Sequence, residues 1–144
     1  MSGRSPQELA EAVAAQLLQQ DPATGHVGLS LVSVGPGTAT MTLTVTPPLV
    51  NGLKVCHGGF IFSLADTAMA YASNSYNRPA LAQSAQVTFL SPGMLGDRLT
   101  AVATETARAG RTGIYDVEVV NQESKLIAVF RGHTRTVNGE ILPP

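Results

Sequence analysis

Charge, cysteine and uninterrupted apolar runs are all scarce in this sequence, and each scarcity excludes a class of protein. Lys, Arg, Asp and Glu make up 13% of the 144 residues, about half the share of an ordinary soluble domain. Nine Lys and Arg stand against ten Asp and Glu, for a net charge of −1. A nucleic-acid-binding protein needs a basic face to neutralise phosphates, so near-neutrality argues against that class. Cys56 is the single cysteine, which rules out an intrachain disulfide and a multi-cysteine zinc site. Gln7, Glu8, Glu11, Gln16, Gln19 and Gln20 interrupt the N-terminal segment, so it lacks the apolar run of a signal peptide. No stretch reaches the roughly 18 apolar residues of a membrane span. The expectation is a cytoplasmic protein with no membrane partner.

What the sequence does have is apolar surface. With 44% hydrophobic residues, the chain has enough to offset the entropy of ordering. Its length predicts one domain over 1–144, with a helical segment over 1–24 and a core over 25–137. So few charges cannot coat a monomer of this size, so part of the surface is expected to be buried against copies of the same chain.

Ser5-Pro6-Gln7-Glu8 has the form of a capping box with proline at the first helical position, and Leu9, Ala12, Val13 and Leu17 follow at helical spacing. A helix is predicted from there to Gln20, stopped by Asp21-Pro22. Beyond the Gly35-Pro36-Gly37 turn, Ala39, Met41, Leu43 and Val45 alternate with threonines, the period of a half-buried strand. From Gly58 to Asn74 the spacing changes to Ile61, Leu64, Ala65, Ala68 and Ala72, which predicts a helix buried on most sides. Four strands are expected over 80–90, 97–107, 111–120 and 125–137. Their short separators predict an antiparallel meander. The fold class is therefore α+β, with one antiparallel sheet curled around a central helix.

Two features of the central helix carry chemistry. Gly58 and Gly59 open it where better helix formers ordinarily stand. They either expose unpaired N–H groups at the positive end of the helix dipole, fit for an oxyanion, or let the chain turn tightly. Asp66 is a carboxylate among Leu64, Ala65, Ala68 and Met69. It needs a structural partner or a functional reason to be there. Gly58 and Asp66 are eight residues apart, about 12 Å along a helix. An oxyanion donor and a base acting on one carbonyl must each lie about 3 Å from the reacting atoms. Two antiparallel copies of the helix would bring the Gly58 end of one chain opposite Asp66 of the other. Cys56 beside His57 allows a cysteine-nucleophile reading or a small buried hydrophobe. His26, His57 and His133 lack metal-ligand spacing. Phe60, Phe62 and Met69 are candidates for an acyl pocket or for core.

Asn51-Gly52, Cys56-His57-Gly58-Gly59 and Phe62-Ser63-Leu64-Ala65-Asp66-Thr67-Ala68 resemble the signature of hotdog-fold thioesterases of the phenylacetic-acid-degradation type. The likeness continues through Phe89-Leu90-Ser91-Pro92-Gly93, Thr112-Gly113-Ile114-Tyr115-Asp116 and Phe130-Arg131-Gly132. It implies hydrolysis of acyl-CoA thioesters, with phenylacetyl-CoA and its ring-hydroxylated relatives as substrates. It also implies a homodimer as the active unit, assembled into tetramers, and no metal or other cofactor. By position it makes Asp66 the general base or nucleophile and the Gly58 N–H the group that polarises the thioester oxygen. Asn51 and His57 then line the site, and the Ser84 hydroxyl lies near the attacking water. Gly59, Phe60 and Thr67 would contact substrate. Arg108 and Arg111 flank a turn, where they either meet the coenzyme A phosphates or are solvated hairpin ends. The alternatives are a hotdog enoyl-CoA hydratase or dehydratase, and an acyl-CoA-binding protein without turnover.

Overall fold

The computed structural model describes residues 3–144. Helix α1 (Pro6–Gln19) starts as its capping box dictates: the Glu8 N–H donates to Ser5 Oγ and the Ser5 N–H to Glu8 Oε1, each at 3.1 Å. Asp21-Pro22 ends this helix and also begins another, α2 (Pro22–Val27), which the sequence reading lacked. Asp21 caps α2 by accepting from the Thr24 N–H at 3.2 Å and from its hydroxyl at 2.5 Å. Gly28, in the left-handed region at φ 89°, closes it. The helical segment thus reaches Val27 rather than residue 24.

Strands β1 (Leu29–Gly35) and β2 (Thr38–Thr44) form the first hairpin. The long helix α3 (Gly58–Ser73) follows, then β3 (Ala80–Phe89), β4 (Arg98–Ala109), β5 (Thr112–Val120) and β6 (Leu126–Thr136). All six strands form one antiparallel sheet in the order β1-β2-β4-β5-β6-β3. This is the hotdog fold, with the sheet wrapped around α3. The buried face of α3, Ile61, Leu64, Ala65, Ala68 and Ala72, packs on alternate residues of the strands, among them Met41, Leu43, Leu99, Ala101, Val117 and Val119. Burial of a side chain such as Leu64, fully enclosed, stabilises by about 2 kcal/mol. At β6 the helix comes closer still. A Cβ on Gly132 would overlap Met69 Sδ, and Phe62 packs edge-on against Phe130 with ring centroids 5.4 Å apart.

The predicted meander holds for β4, β5 and β6 only. Strand β3 lies at the far edge beside β6, and Ser91-Pro92-Gly93 is part of an arch rather than a hairpin turn. The reason lies in where the backbone groups find partners. The Leu90 and Ser91 N–H groups donate to the Ile127 carbonyl, the Gly93 carbonyl accepts from the Cys56 N–H, and Gly96 and Asp97 bond to Val45. The connection therefore runs from β6 to β2 across the end of the sheet, against the segment that enters α3. It leaves β3 as an edge strand paired on one side, with nearly all of its side chains exposed.

The opposite end is fastened by Glu105. Its Oε1 accepts from the Tyr76 hydroxyl at 3.1 Å and the Tyr115 hydroxyl at 3.0 Å, and the Arg108 guanidinium lies 3.6 Å away. Tyr115 is fully buried, so Glu105→Leu strands its hydroxyl and is expected to cost about 1–3 kcal/mol. For a chain of this size that lowers Tm by several degrees, roughly 2–4 °C per kcal/mol, and thermal denaturation reads it directly.

Candidate active site

Helix α3 begins against the Ser91–Asp97 arch. His57 is its N-cap, and His57 Nδ1 accepts from the Gly59 N–H at 2.9 Å. The Phe60 N–H donates to the His57 carbonyl at 2.9 Å, and the His57 N–H to the Leu49 carbonyl at 2.8 Å. The Gly58 N–H donates to no backbone or side-chain acceptor among the described residues. One donor at the positive end of a 16-residue helix is therefore left without an acceptor among the described residues. Asn51 holds the entering loop, its Oδ1 accepting from the Leu53 and Val55 N–H groups at 2.9 and 3.3 Å. The loop that Asn51 braces is thus tied to the segment entering α3, Val50 pairing with Cys56 and the Leu49 carbonyl accepting from His57.

Neither glycine is there for an unusual backbone angle, because neither has a positive φ. A Cβ at position 59 would stand 3.0 Å from His57 Nδ1, crowding the capping imidazole. One at position 58 would stand 2.9 Å from Phe89 Cζ and 3.3 Å from each Cε. Close approach of the Phe89 ring and the His57 imidazole, not turning, distinguishes these positions.

Asp66 stands apart electrostatically. The chain has four aspartates, and three are held within the chain. Asp21 accepts from Thr24 and from the Tyr71 hydroxyl, and Asp97 from the Met94 N–H and Gln122. Asp116 takes two hydrogen bonds from Arg131, at 2.7 and 2.8 Å, and one from Thr106. The Arg131 guanidinium holds the Asp116 carboxyl down at about 2. Asp66 has no such partner among the described residues, and burial pushes its carboxyl above the ordinary aspartate value of 3.8. It belongs to a stripe with Gly59, Ser63 and Ala70, spaced four, three and four residues apart along α3. The Ser63 hydroxyl folds back onto the Gly59 carbonyl at 2.8 Å, so the stripe is smooth, and none of its members is fully buried.

The remaining candidates divide. The Phe60 ring stands edge-on to His57, centroids 6.0 Å apart, and stays with the Gly58 end. Thr67 lies one residue, about 100° of helix, away from Asp66 and faces another flank. Phe62 and Met69 turn to β6 and are core packing rather than pocket lining. Ser84 is not brought to Asp66. It pairs with His133 beside the bulge at Ala82/Ser84, whereas the next pair, Ala85 and Gly132, takes the α3 side. By alternation Ser84 faces away from the helix. The bulge, invisible in the sequence, decides that phase. Arg108 and Arg111 flank the β4–β5 turn at the other end of α3. The Arg108 guanidinium lies 3.8 Å from the Tyr76 ring centroid, and Arg111 Nη2 donates weakly to Asn138 Oδ1 at 3.4 Å. Cys56 is buried, and burial pushes its thiol up to about 11, which favours the reading as a small buried hydrophobe.

The sequence reading missed the far wall of the site. A cleft of about 440 Å³ adjoins Gly58, lined by Val55, Ile61, Phe89, Leu90, Pro92 and their neighbours. The pair of glycines was the available signal, since one of them makes room for Phe89. No helix among the described residues is long and apolar enough to cross a membrane.

Comparison with known proteins gives concordant results. A family model described as Thioesterase superfamily matches residues 53–128. The chain is 43% identical over 125 residues to acyl-coenzyme A thioesterase PaaI of Escherichia coli, covering 87% of this chain and 89% of that protein. A putative esterase of Archaeoglobus fulgidus is 35% identical over 137 residues, covering 95% of this chain and 88% of that one. The solved structure of the E. coli PaaI protein from the phenylacetic acid degradation operon superposes with a TM-score of 0.92 at 41% identity, over 94% of this chain and 99% of that one. A Streptococcus mutans structure bound to acetyl CoA matches with a TM-score of 0.75 at 26% identity, over 78% and 91% of the two chains.

Proposed function

The chain belongs to the Thioesterase superfamily, and on that premise we propose how this acyl-CoA thioester hydrolase works and on what. The substrate is phenylacetyl-CoA or a ring-hydroxylated relative, by analogy with the E. coli protein of the phenylacetic acid degradation operon. Water is the nucleophile and Asp66 the base. The water oxygen bonds to the thioester carbon while its proton passes to the Asp66 carboxylate. The carbonyl oxygen becomes an oxyanion and accepts from the Gly58 N–H. Collapse breaks the C–S bond, the coenzyme A sulfur leaves and takes up the proton held by Asp66, and the free acid departs. Asn51 and His57 keep the Gly58 donor in place: His57 engages the neighbouring Gly59 N–H, and Asn51 braces the loop that leads into the helix. Gly59 and Phe60, at the same helix end, flank the bound thioester, and Thr67, the residue after Asp66, contacts it from the adjoining flank of the helix.

The observation that carries this reading is Asp66, unpartnered among the described residues. A half-buried carboxylate without a donor costs stability in an isolated chain, and the cost makes sense where substrate water completes the site. Gly58 of the same chain lies about 12 Å away along the helix, so the active unit is a two-fold dimer. The paired edge strands β3 and the smooth stripe of α3 supply the contact, and the partner's Gly58 end faces Asp66. The dimers pair into tetramers.

Arg108 and Arg111 of the Asp66 chain take the coenzyme A phosphates. That hairpin sits by the C-terminal end of α3, which is seven residues beyond the mid-helix Asp66 and fifteen beyond the chain's own Gly58. The test compares two thioesters across a panel of acyl groups. Arg111→Ala is expected to raise KM for phenylacetyl-CoA about tenfold, and to leave KM for phenylacetyl-pantetheine, which lacks the nucleotide, unchanged. Equal effects on both would remove Arg111 from the coenzyme site. A panel maximum on short linear acyl groups would replace the aromatic substrate.

A further inference from the structure

The cleft beside Gly58 has no role in the chemistry described so far. We propose that it holds the acyl group of the thioester, and that Phe89 determines which acyl groups fit. The inference rests on the assignment of the Gly58 N–H to the thioester oxygen. Oxygen and acyl chain are bonded to the same carbon, so the chain must leave through the space adjoining Gly58. The cleft is that space, since Gly58 is part of its lining.

The chemistry of the walls agrees. Among the described residues no Lys, Arg, His, Asp or Glu lines the cleft, and burial favours the neutral form of the Cys56 thiol on it. The phosphates of coenzyme A have nothing to pair with here, whereas an uncharged acyl chain does. Ser91 carries the sole side-chain hydroxyl in the lining, a poor match for the two amides of a pantetheine arm. Among the walls Phe89 supplies the three atoms nearest to a hypothetical Cβ on Gly58. The tip of its ring presses on Gly58, as the distances of 2.9 and 3.3 Å to a hypothetical Cβ record. Phe89 ends the edge strand β3 and is 50% exposed in the single chain, so the ring that lies against Gly58 keeps surface of its own for a ligand at the shared site. An aromatic acyl group can meet it edge-to-face or offset-stacked, which a linear chain cannot.

The experiment measures kcat/KM for acetyl-, hexanoyl- and phenylacetyl-CoA with the wild type, Phe89→Ala and Phe89→Leu. Phe89→Ala is expected to lower the phenylacetyl-to-acetyl ratio about tenfold or more, with Phe89→Leu in between, the scale on which apolar pockets discriminate. A common fold-loss across all three substrates overturns the proposal, because it would mean that Phe89 only props up the site. Should hexanoyl-CoA be the better substrate of the wild type, the phenylacetyl assignment fails. The hexanoyl-to-acetyl ratio then decides the role of Phe89 by the same criterion. A double-mutant cycle supplies a readout independent of acyl preference. Gly58→Ala keeps the N–H but collides with the ring, so Phe89→Ala in the Gly58→Ala background should recover part of the lost turnover. Strictly additive losses would show that the two positions are uncoupled and refute the contact on which the proposal depends.

Discussion

Asp66→Asn is expected to lower kcat by about 10²-fold or more with KM close to the wild-type value, the pattern for loss of a group that acts in the transition state. The amide keeps the shape of the carboxylate and cannot accept the proton from water. Turnover within threefold of the wild type would exclude Asp66 as the base. The pH profile gives a second reading of the same residue. Burial raises the Asp66 carboxyl above 3.8, so the acid limb of kcat/KM should fall at a higher pH than an ordinary aspartate would give, and Asp66→Asn should lack that limb. Stability moves the other way. The folded chain binds a proton at Asp66 more tightly than the unfolded chain does, so this group's contribution falls as pH rises through 3.8 and is fully unfavourable above the raised value. Asp66→Asn should therefore melt higher than the wild type near pH 7 and level with it below both values. Calorimetry at the two pH values checks the sign. An enzyme that loses its activity while gaining stability at neutral pH is what a carboxylate retained for chemistry predicts.

The second large effect is a restoration. Gly58→Pro removes the N–H and should also reduce turnover by about 10²-fold or more. A mixture of Gly58→Pro and Asp66→Asn chains, unfolded and refolded together, is expected to regain about a quarter of wild-type activity. Random pairing makes half of the dimers heterodimers, and each of these has one intact site of two. Each variant refolded alone should stay inactive. If the mixture is no more active than its components, the site is not shared between chains, and the separation of Gly58 and Asp66 along α3 needs another explanation.

Much of this could be read from residues in order. The capping box at Ser5, the alternation of Ala39, Met41 and Leu43, and the buried spacing of Ile61, Leu64 and Ala68 each reflect a local rule, the periodicity of a strand or helix against a core. Asp66 was legible for the same reason, since a carboxylate in an apolar helix is conspicuous wherever the chain goes. Helix α2 was hidden because Asp21-Pro22 serves equally as a stop and as a start. The order of the strands was hidden because short separators look alike whether they close a hairpin or begin an arch.

The sequence by itself determined the elements, the α+β class and the residues able to do chemistry, because side-chain period, capping and charge act over a few residues. The tertiary structure alone decided that β3 lies beside β6 and leaves an edge open. It also left Asp66 as the one aspartate without a partner among the described residues, turned Ser84 away at a bulge, and set Phe89 against Gly58. Each of these depends on which distant backbone group accepts a hydrogen bond and which side chain fills a space. Those are pairings between residues far apart in the chain, and no local pattern specifies them.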